Sequence, residues 1–516
     1  MSKLPTLLRR VALGGVALAA LTASCTLTVT DSVSCTDDAA CVSAFGDGYL
    51  CNVDGTCQLT DQGCTSSAEC REREGFGFSC QEGLCAPIAA VPRCTRTYPD
   101  QLFSRSDFAE HLVIGNLMDR SVSTHQAREN SAELAVRQAA DAGGIEGRPI
   151  GIVFCTIEEN ASFDELERAE AAVASATWLT EELGVPAIVG PAASGDTAAV
   201  FEAIRDTGTL VISPSATSPA LTAQDNTSPT DANPGLLWRT APPDSLQGQV
   251  IAADMSGRGV SQVAVINQTG AYGDELVRVF EEEFGSSLID IVKYDESSEI
   301  GDAIVTVSAT AAEEVLFVSS QSDDVISFLN GVAATAAFDG KSIFLSDSAA
   351  NADVIDGADP GVLARVRGTR PAAVSGPVFS AFQAGYAAEY SDDVSQFSFT
   401  AHAYDAAWLV LYGSAYATFE DGAVTGTGIA KGLRRISDPS GTEIEIRGSQ
   451  WLAAVQAFRQ GERLDVIGAS GELDYAADTE ETSAPIEVWR VVDDCAGGLE
   501  LEVVDEGVDP GPKTCP

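Results

Sequence analysis

The stretch PAIVGPAASGDTAAVFEAIRDTGTLVISP, residues 186–214, contains the pattern that decides the fold. PAIVGP (186–191) is a short apolar run typical of a buried strand, and TLVISP (209–214) is another. Between them, TAAVFEAIRDTG (197–208) carries apolar residues at helical spacing. A strand, a helix and a strand in this order predict a βαβ unit with parallel strands.

The same alternation continues in both directions. The upstream elements are the strands HLVIGNL (111–117) and RPIGIVFC (148–155) and the helices RENSAELAVRQAADAG (128–143) and ELERAEAAVASATWLTEEL (165–183). The pattern restarts after RTAPPD (239–244) and includes the further strands VLFVSS (315–320) and SIFLSD (342–347). The sequence therefore predicts two Rossmann-like α/β units in series, with loops at the carboxyl ends of the strands available for a ligand.

Seven segments occur together in a family-like order and spacing. They are EGRPIGIVF (146–154), AIVGPAASGDTAAV (187–200), LVISPSATSPALT (210–222), LWRTAPPDSLQGQ (237–249), AYGDELVRVFEEEFG (271–285), AYDAAW (403–408) and APIEVWRVV (484–492). Through them the chain resembles, over about 108–494, the type I periplasmic binding proteins that serve branched-chain amino acid and amide ABC transporters. The resemblance implies two Rossmann-like lobes joined by three crossover strands, which close on a ligand. The crossovers would fall near 240–243, 367–375 and 470–484.

The resemblance also implies where each lobe lies in the chain and which residues bind the ligand. Lobe 1 would hold 108–240 and 376–470, and lobe 2 would hold 244–366 and the terminal strand IEVWRVV. Ser194, Ser215 and Thr217 lie where the family binds the ligand's carboxylate and amino-acid moiety. Free N–H groups at the helix start after GPAAS can also hold a carboxylate. Ser194 has the alternative of capping that helix, and Ser215 and Thr217 that of a Ser/Pro turn.

Lobe 2 differs in part from the leucine-binding members. Tyr272 aligns with an aromatic residue that packs on the ligand after closure, although a core role is its alternative. Ser348 stands where those members carry a glutamate for the ligand's ammonium, so Asp347, one place before, is the candidate substitute. In lobe 1, the loop NLMDRSVSTHQ (116–126) lacks the aromatic residue of leucine binders and carries Asp119, Arg120, Ser121 and His125 instead. Arg120 could pair with an acidic group of the ligand or with Asp119. Asp196 would oppose a dianionic ligand.

Composition and motifs exclude several other functions. With 76 acidic and 30 basic residues, the net charge is −46, so the chain has no excess of cations to neutralise the phosphates of a nucleic acid. We read this acidic excess as a solvated surface, for which a salty habitat is one explanation. The chain has no G-x-S-x-G, H-E-x-x-H or P-loop motif, and its three His are far apart in sequence. We therefore expect a protein that is not an enzyme, with no metal and no cofactor.

The amino terminus has the features of an export signal. Lys3, Arg9 and Arg10 precede a 13-residue apolar run from Val11 to Ala23, which is too short to span a bilayer. The ending LTASC (21–25) resembles a bacterial lipobox, although Thr22 stands where the family usually has Leu. We expect lipidation at Cys25 after cleavage of residues 1–24. Ordinary cleavage near the same place is the alternative.

Cysteines are concentrated in two repeats of about 25 residues. Cys35, Cys41, Cys51 and Cys57 form the first, and Cys64, Cys70, Cys80 and Cys85 form the second. The repeats lack the aliphatic residues of a core, so we expect disulfides within each repeat, with three possible connectivities. Two zinc sites are the alternative, which the missing C-x2-C knuckles disfavour. We further expect the bridges Cys94–Cys155 and Cys495–Cys515.

These observations give one expected layout and two possible functions. The layout is a signal peptide (1–24), a lipid-anchored linker (25–34), two Cys-rich repeats (35–94) that act as a spacer, a two-lobed domain (95–494) and an acidic tail (495–516). The expected function is an extracytoplasmic lipoprotein, in the periplasm or at the cell surface, which delivers a small amino-acid-like or amide solute to an ABC transporter permease. The alternative is a ligand-binding sensor or surface-assembly protein that is not coupled to transport.

Overall fold

The computed structural model describes residues 34–45, 49–53, 55–59, 63–225, 227–285, 288–372 and 375–513. The chain divides into two compact units between Gly63 and Cys64. In the first unit, α1 (Asp38–Phe45) precedes an antiparallel hairpin of β1 (Tyr49–Cys51) and β2 (Cys57–Leu59). Its disulfides are Cys35–Cys51 and Cys41–Cys57. The expected lipidation site, Cys25, lies outside the described residues.

The second repeat opens the second unit. It consists of α2 (Ser67–Glu74) and a hairpin of β3 (Phe78–Gln81) and β4 (Leu84–Pro87). The bridges Cys64–Cys80 and Cys70–Cys85 join the first cysteine to the third and the second to the fourth, as in the first repeat. This connectivity is one of the three that the sequence left open.

The second repeat is attached to lobe 1 by hydrogen bonds. Arg71 donates to the carbonyl oxygens of Glu181 and Glu182, both at 2.7 Å. The Ser67 hydroxyl donates to the Glu182 carboxylate at 2.6 Å. Residues 64–87 are therefore part of the compact unit that contains the lobes, whereas the expected spacer contained both repeats.

The first large sheet forms the centre of lobe 1. Its strands are β5 (Arg96–Tyr98), β6 (Leu112–Met118), β7 (Ile150–Thr156), β8 (Ala187–Val189), β9 (Leu210–Ser213) and β10 (Leu237–Arg239). Helices α3 (Ser123–Asp141), α4 (Arg168–Thr177) and α5 (Ser194–Ile204) connect them, and a π-helical turn, Trp178–Leu183, follows α4. Every residue of β6 and β7 is buried because helices cover both faces, which explains their continuous apolar runs.

The second large sheet forms the centre of lobe 2. The elements, in chain order, are α6 (Asp244–Gly257), β11 (Val263–Gln268), α7 (Gly273–Phe284), β12 (Leu288–Tyr294), α8 (Ile300–Ser308), β13 (Glu314–Val318), α9 (Ser322–Ala333), β14 (Ser342–Leu345), α10 (Ala352–Gly357), α11 (Pro360–Leu363) and β15 (Val366–Pro371). Hydrophobic clusters lie on both faces of this sheet, so lobe 2 has its own core.

The chain then returns to lobe 1 and ends in lobe 2. The returning elements are α12 (Pro377–Tyr390), α13 (Thr400–Glu420), α14 (Gly426–Leu433), β16 (Thr442–Glu445), α15 (Trp451–Arg459) and β17 (Leu464–Ile467). Helix α13 is buried on nearly all sides, as expected for a helix that is apolar all round. Within the described ranges, no helix combines the length and apolarity needed to cross a membrane.

Both sheets have the same topology. The parallel strands are ordered β7-β6-β8-β9-β10 in lobe 1 and β12-β11-β13-β14-β15 in lobe 2, which is 2-1-3-4-5 in each case. In this arrangement ligands bind at the carboxyl ends of the strands, where the strand order reverses. The fold is thus the expected α/β pair of Rossmann-like lobes.

Several segments differ from the expected boundaries. β5 is an antiparallel edge strand that begins before residue 108. β15 pairs within the lobe 2 sheet over 366–371, so much of the expected crossover at 367–375 is a strand of that lobe. The last two strands are β18 (Ile486–Asp493) and β19 (Leu499–Val504), and β19 lies in the expected acidic tail, where it pairs with β18.

Two further bridges were expected at the ends of the two-lobed domain. Cys94 and Cys155 are joined, which ties the segment before β5 to the end of β7. Cys495 is disulfide-bonded, and Cys515 lies outside the described residues.

Candidate functional site

A cleft of about 40 Å³ lies where the carboxyl ends of strands from both lobes meet. Segments that follow β6, β8 and β9 line it from lobe 1, and segments that follow β11, β13 and β14 line it from lobe 2. The lining residues are His125, Arg128, Ala192, Ala193, Ser194, Ser215, Tyr272, Ser320, Asp347, Ser348 and Phe399. Four of the five ligand-binding residues expected from the sequence are in this set. The topology therefore brings together residues that are more than 150 positions apart in the chain.

Ser194 is the first residue of α5 and is buried at the cleft. The N-cap position belongs to Ala193, which has no capping side chain, so the capping role considered for Ser194 is wrong. The Ser194 Oγ instead accepts the backbone N–H of Ser218 at 3.2 Å. The start of α5 consequently presents backbone N–H groups and the positive end of the helix dipole to the cleft.

Ser215 and Thr217 have different surroundings. The Ser215 hydroxyl donates to the Ala192 carbonyl at 3.0 Å and accepts from Arg128 at 3.1 Å. Thr217 is outside the set of lining residues, because its hydroxyl donates to the buried Asp244 carboxylate at 2.8 Å. Thr217 is thus the one expected ligand-binding residue that does not line the cleft.

Tyr272 and Asp347 form the lobe 2 side. Tyr272 lies just before α7, Asp347 follows β14, and the Tyr272 hydroxyl donates to the Asp347 carboxylate. Burial raises the pKa of the Asp347 carboxyl above its usual value. Burial and the nearby Asp347 charge raise the pKa of Asp244 well above its ordinary range. A cation in the cleft would favour ionisation of this acidic pair.

Arg128 is the main lining residue that sequence reasoning missed. It is 7% exposed, and its guanidinium donates to Ser215 Oγ, Ser398 O and Ser398 Oγ, each at 3.1 Å. In the described part of the chain, no carboxylate forms an ion pair with it. Burial lowers the pKa of Arg128 from 12.5 to about 10, although the Asp347 charge opposes this shift. Three of the five guanidinium N–H donors are used, which leaves two for a ligand.

A sequence signal for Arg128 did exist. On α3, Arg128 shares a helical face with Ala132, Ala135 and Ala139, all of which are fully buried. A charged residue on a buried helical face is rare unless it is paired. The position therefore indicated either a distant partner or a ligand.

His125 is a second buried polar residue of the cleft, and one of its ring nitrogens is not hydrogen-bonded within the described residues. Among the described residues, none forms a hydrogen bond with its Nδ1 atom. Burial and the neighbouring Arg128 and Arg168 charges lower the pKa of His125 well below its usual value, so the ring is neutral. A neutral imidazole can donate to or accept from a ligand.

The other charged residues considered on the lobe 1 side pair with Arg168 or Glu129. Arg168 binds both Asp119 and Asp196, the latter at 2.8 Å. Asp196 therefore has a compensating cation, and the repulsion expected for a dianionic ligand is reduced. Arg120 lies 3.4 Å from Glu129 rather than beside Asp119.

The cleft thus combines opposite polarities on its two sides. Lobe 1 contributes the Arg128 guanidinium and the start of α5, both of which favour an anion. Lobe 2 contributes the Asp347 carboxylate and the Tyr272 hydroxyl, which favour a cation or a hydrogen-bond donor. This arrangement is complementary to a small molecule that carries both a carboxylate and an ammonium group.

Comparisons with known proteins identify the family. Residues 127–493 match the family model described as receptor family ligand binding region. Leu/Ile/Val-binding protein homolog 3 of Brucella melitensis is 29% identical over 37% of this chain and 48% of its own length. The chemotactic signal transduction system substrate-binding protein BasB of Halobacterium salinarum is 27% identical over 68% of this chain and 78% of its own length. The chain thus spans only about half of the Brucella protein.

A solved structure adds the fold. The branched-chain amino acid transporter substrate binding protein LivJ from Streptococcus pneumoniae, in complex with isoleucine, superimposes with a TM-score of 0.57. It is 20% identical and covers 76% of this chain and 99% of its own. The chain belongs to the receptor family ligand-binding region and has the two-lobed fold of type I periplasmic binding proteins.

Proposed function

We propose that this protein captures a small amino acid between its lobes and delivers it to an ABC transporter permease. The observation that carries the proposal is that Arg128 and Asp347 line one cleft from opposite lobes. The printed names of the Brucella and Streptococcus relatives, which refer to branched-chain amino acids, support the same ligand class.

The ligand carboxylate binds to lobe 1. The two unused Arg128 N–H groups donate to it, and the Ser194 hydroxyl, which only accepts a bond within the protein, and the N–H groups at the start of α5 donate further bonds. A hydrogen bond to a charged group contributes about 1.5–3 kcal/mol. The ligand carboxylate then forms an ion pair with the buried Arg128, which has no ion-pair partner in the described part of the protein.

The ligand ammonium binds to lobe 2. Asp347 is 4% exposed and lines the cleft beside Tyr272. Burial raises the pKa of Asp347. The positive charge of a contacting ammonium group lowers this pKa, so the ammonium binds more tightly when Asp347 is ionised. Lobe 2 contacts made only by the bound ligand shift the protein towards the closed state.

A set of truncated ligands tests this orientation. Isothermal titration calorimetry would compare L-leucine, L-leucinamide, which lacks the carboxylate, and 4-methylpentanoate, which lacks the ammonium. Asp347→Asn should weaken the binding of L-leucine and L-leucinamide by tenfold or more and leave the affinity for 4-methylpentanoate nearly unchanged. Asp302→Asn, which removes an exposed carboxylate of α8 in lobe 2, is the control. An equal effect of Asp347→Asn on all three ligands would contradict the orientation, and no binding of any of them would remove the amino-acid proposal.

A sensory role is the second candidate function, and one observation favours it. BasB, whose name assigns it to chemotactic signal transduction, matches a longer part of this chain than the Brucella protein does. Uptake of radiolabelled ligand in cells with and without the gene separates the two roles. Transport requires loss of uptake in the deletion strain, whereas a sensor leaves uptake intact and abolishes the behavioural response to the ligand.

We further propose that the protein is exported and lipid-anchored at Cys25. The short apolar run before LTASC supports this proposal, and the disulfides fit an oxidising compartment. Membrane fractionation of a Cys25→Ala variant tests it. The variant should be soluble or remain unprocessed, and fractionation with the membrane as for the wild type would contradict the anchor.

A further inference from the structure

One side-chain amide joins Asp347 to a second buried carboxylate, that of Asp244. Asp244 is the first residue of α6, comes directly after the expected crossover at 240–243, and is fully buried. In the orientation that satisfies both of its polar atoms, the Gln247 amide donates to Asp244 Oδ1 at 2.8 Å and accepts the Asp347 backbone N–H at 3.1 Å. Asp244 does not line the cleft, but it helps to position the loop that carries Asp347.

Asp244 is also part of the contact between the lobes. Its carboxylate is hydrogen-bonded to the hydroxyl of Thr217, a lobe 1 residue, at 2.8 Å, and its backbone N–H donates to the Thr217 carbonyl at 2.8 Å. Both residues are at most 2% exposed. Because lobe 1 covers the carboxylate through this contact, separation of the lobes exposes Asp244 to water and their closure buries it. Thr217, which does not reach the cleft, therefore contributes to the site by covering Asp244.

The charges around Asp244 and Asp347 favour one proton on this pair when the lobes are closed. Two carboxylates that share a buried site cannot both ionise readily. The charged groups that act on Asp244 are Asp347 and Arg239, and Arg239 is already in an ion pair with another carboxylate at 2.6 Å. Asp347 instead accepts the Tyr272 hydroxyl and has the charge of Arg128 nearby. Asp347 is therefore the member that ionises first, and Asp244 is the one that keeps the proton.

We infer that Asp244 is a further positioning residue of the binding site, which takes up one proton when the lobes close on the ligand. The bound protein then holds a neutral Asp244 and an ionised Asp347, the form that binds the ligand ammonium. The inference rests on the proposed function, which places that ammonium at Asp347. The proton comes from the solvent and binds to a carboxylate oxygen of Asp244, whose O–H then donates to the Thr217 hydroxyl oxygen. No covalent bond other than this O–H bond forms or breaks.

The direction of the pH dependence follows from the burial of Asp244. Closure raises the pKa of this carboxyl well above its ordinary value, mainly by burial and further by the Asp347 charge. The ligand ammonium offsets the contribution of Asp347 but not that of burial, so the pKa stays raised in the complex. An acid with a higher pKa in the closed state favours closure at low pH. Ligand affinity should therefore fall as the pH rises through neutrality, by at most about tenfold per pH unit.

Isothermal titration calorimetry of L-leucine, in two buffers with different heats of ionisation, counts the protons exchanged on binding to the full-length protein. Between about pH 6 and about pH 8, where L-leucine stays zwitterionic, the wild type should take up as much as one proton per ligand and lose at least tenfold in affinity. Asp244→Asn, which keeps the shape of the neutral acid, should take up no proton and bind with an affinity that is independent of pH. Asp302→Asn, at an exposed position of α8, is the matched control and should behave as the wild type does.

The outcomes separate this inference from the proposed function. Binding of L-leucine without proton uptake, or with proton release, overturns the inference and leaves the proposed function intact. Uptake that persists in Asp244→Asn assigns the proton to another group, such as His125, and overturns the inference as well. If Asp244→Asn does not fold, infrared difference spectra of the wild type decide the matter, because L-leucine should then produce the carbonyl band of a protonated carboxylic acid, and a missing band overturns the inference. If L-leucine does not bind at any pH, the proposed function fails and this inference fails with it.

Discussion

Replacement of Arg128 by methionine should separate ligand binding from stability. Methionine keeps an unbranched side chain and removes the charge. The Arg128 pKa is lowered from 12.5 to about 10, mainly by burial. At 1.36 kcal/mol per pKa unit, the unliganded fold bears roughly 3 kcal/mol of electrostatic cost for this guanidinium. Loss of its bonds to Ser215 and Ser398 offsets part of the gain, so unliganded Arg128→Met should be as stable as the wild type or more stable.

Ligand binding should change in the opposite direction. Two hydrogen bonds from the guanidinium to a carboxylate, at about 1.5–3 kcal/mol each, correspond to a loss of at least a hundredfold in affinity. The thermal shift that L-leucine produces in the wild type should therefore be nearly absent in Arg128→Met. Differential scanning calorimetry, with and without ligand, measures both quantities on the same sample.

Arg239→Met is the control for removal of a buried arginine. Arg239 is also buried, but it is paired with Glu481 at 2.6 Å and donates to the Ala216 and Ser218 carbonyl oxygens. Its loss leaves the Glu481 carboxylate, which is 14% exposed, without a cation, so the variant should be destabilised by about 3–5 kcal/mol. If Arg128→Met instead behaves like Arg239→Met and keeps its ligand-induced shift, then Arg128 is structural and the proposed orientation is wrong.

Three further predictions concern stability. Burial raises the pKa of Asp405 from 3.8 to about 7, so between these pH values the native state keeps a proton that the unfolded state loses. Relative to Asp405→Asn, the free energy of unfolding of the wild type should therefore fall by about 4 kcal/mol from pH 4 to pH 7 and stay level above pH 7; the same pH dependence of melting in both proteins would contradict this. The double variant Cys94→Ala/Cys155→Ala opens a loop with a sequence separation of 61, and the chain-entropy model predicts that its free energy of unfolding in urea is lower by about 4 kcal/mol. A decrease of less than 1 kcal/mol would exclude that mechanism here. Because the net charge is −46, the melting temperature should rise as NaCl is increased from 0.05 to 1 M and self-repulsion is screened, and a constant or falling value would show that repulsion is not limiting.

The strands of the two sheet centres were predictable, whereas the edge strands were not. HLVIGNL and RPIGIVFC mark β6 and β7 because strands covered on both faces are apolar throughout. β19 has the sequence LELEVV, with alternating charged residues in a Gly- and acid-rich context, because one face of an edge strand meets solvent. Such a strand is recognised only after its partner β18 is known.

The cleft residues that could be predicted from the sequence are those in the segments that follow strands. Ser194, Ser215, Tyr272 and Asp347 each follow a strand, and the topology brings them to the same cleft. Arg128 was missed because its significance depends on the absence of a paired carboxylate, and that depends on residues far away in the chain. The carboxylate whose charge acts on Arg128, Asp347, is 219 positions later. Sequence spacing cannot show whether such a charge is close enough to pair.

The unpaired groups of the cleft explain how a ligand can control the arrangement of the lobes. Among the described residues, hydrogen bonds join the lobes from the Ser218 hydroxyl to the Ala271 carbonyl at 2.5 Å, from Thr217 to Asp244 at 2.8 Å, and from Ser123 to Asp353. These contacts are few and polar, so they stabilise an arrangement that buries Arg128 and Asp347 only weakly. A shift from 1:99 to 99:1 in favour of this arrangement requires about 5.5 kcal/mol. The bonds to Arg128 form in either arrangement, so only the bond to Asp347, at about 1.5–3 kcal/mol, contributes to this preference. Since the bonds to both lobes form together only when the lobes are close, a ligand that carries both charges favours closure, whereas a ligand with one charge binds without favouring it.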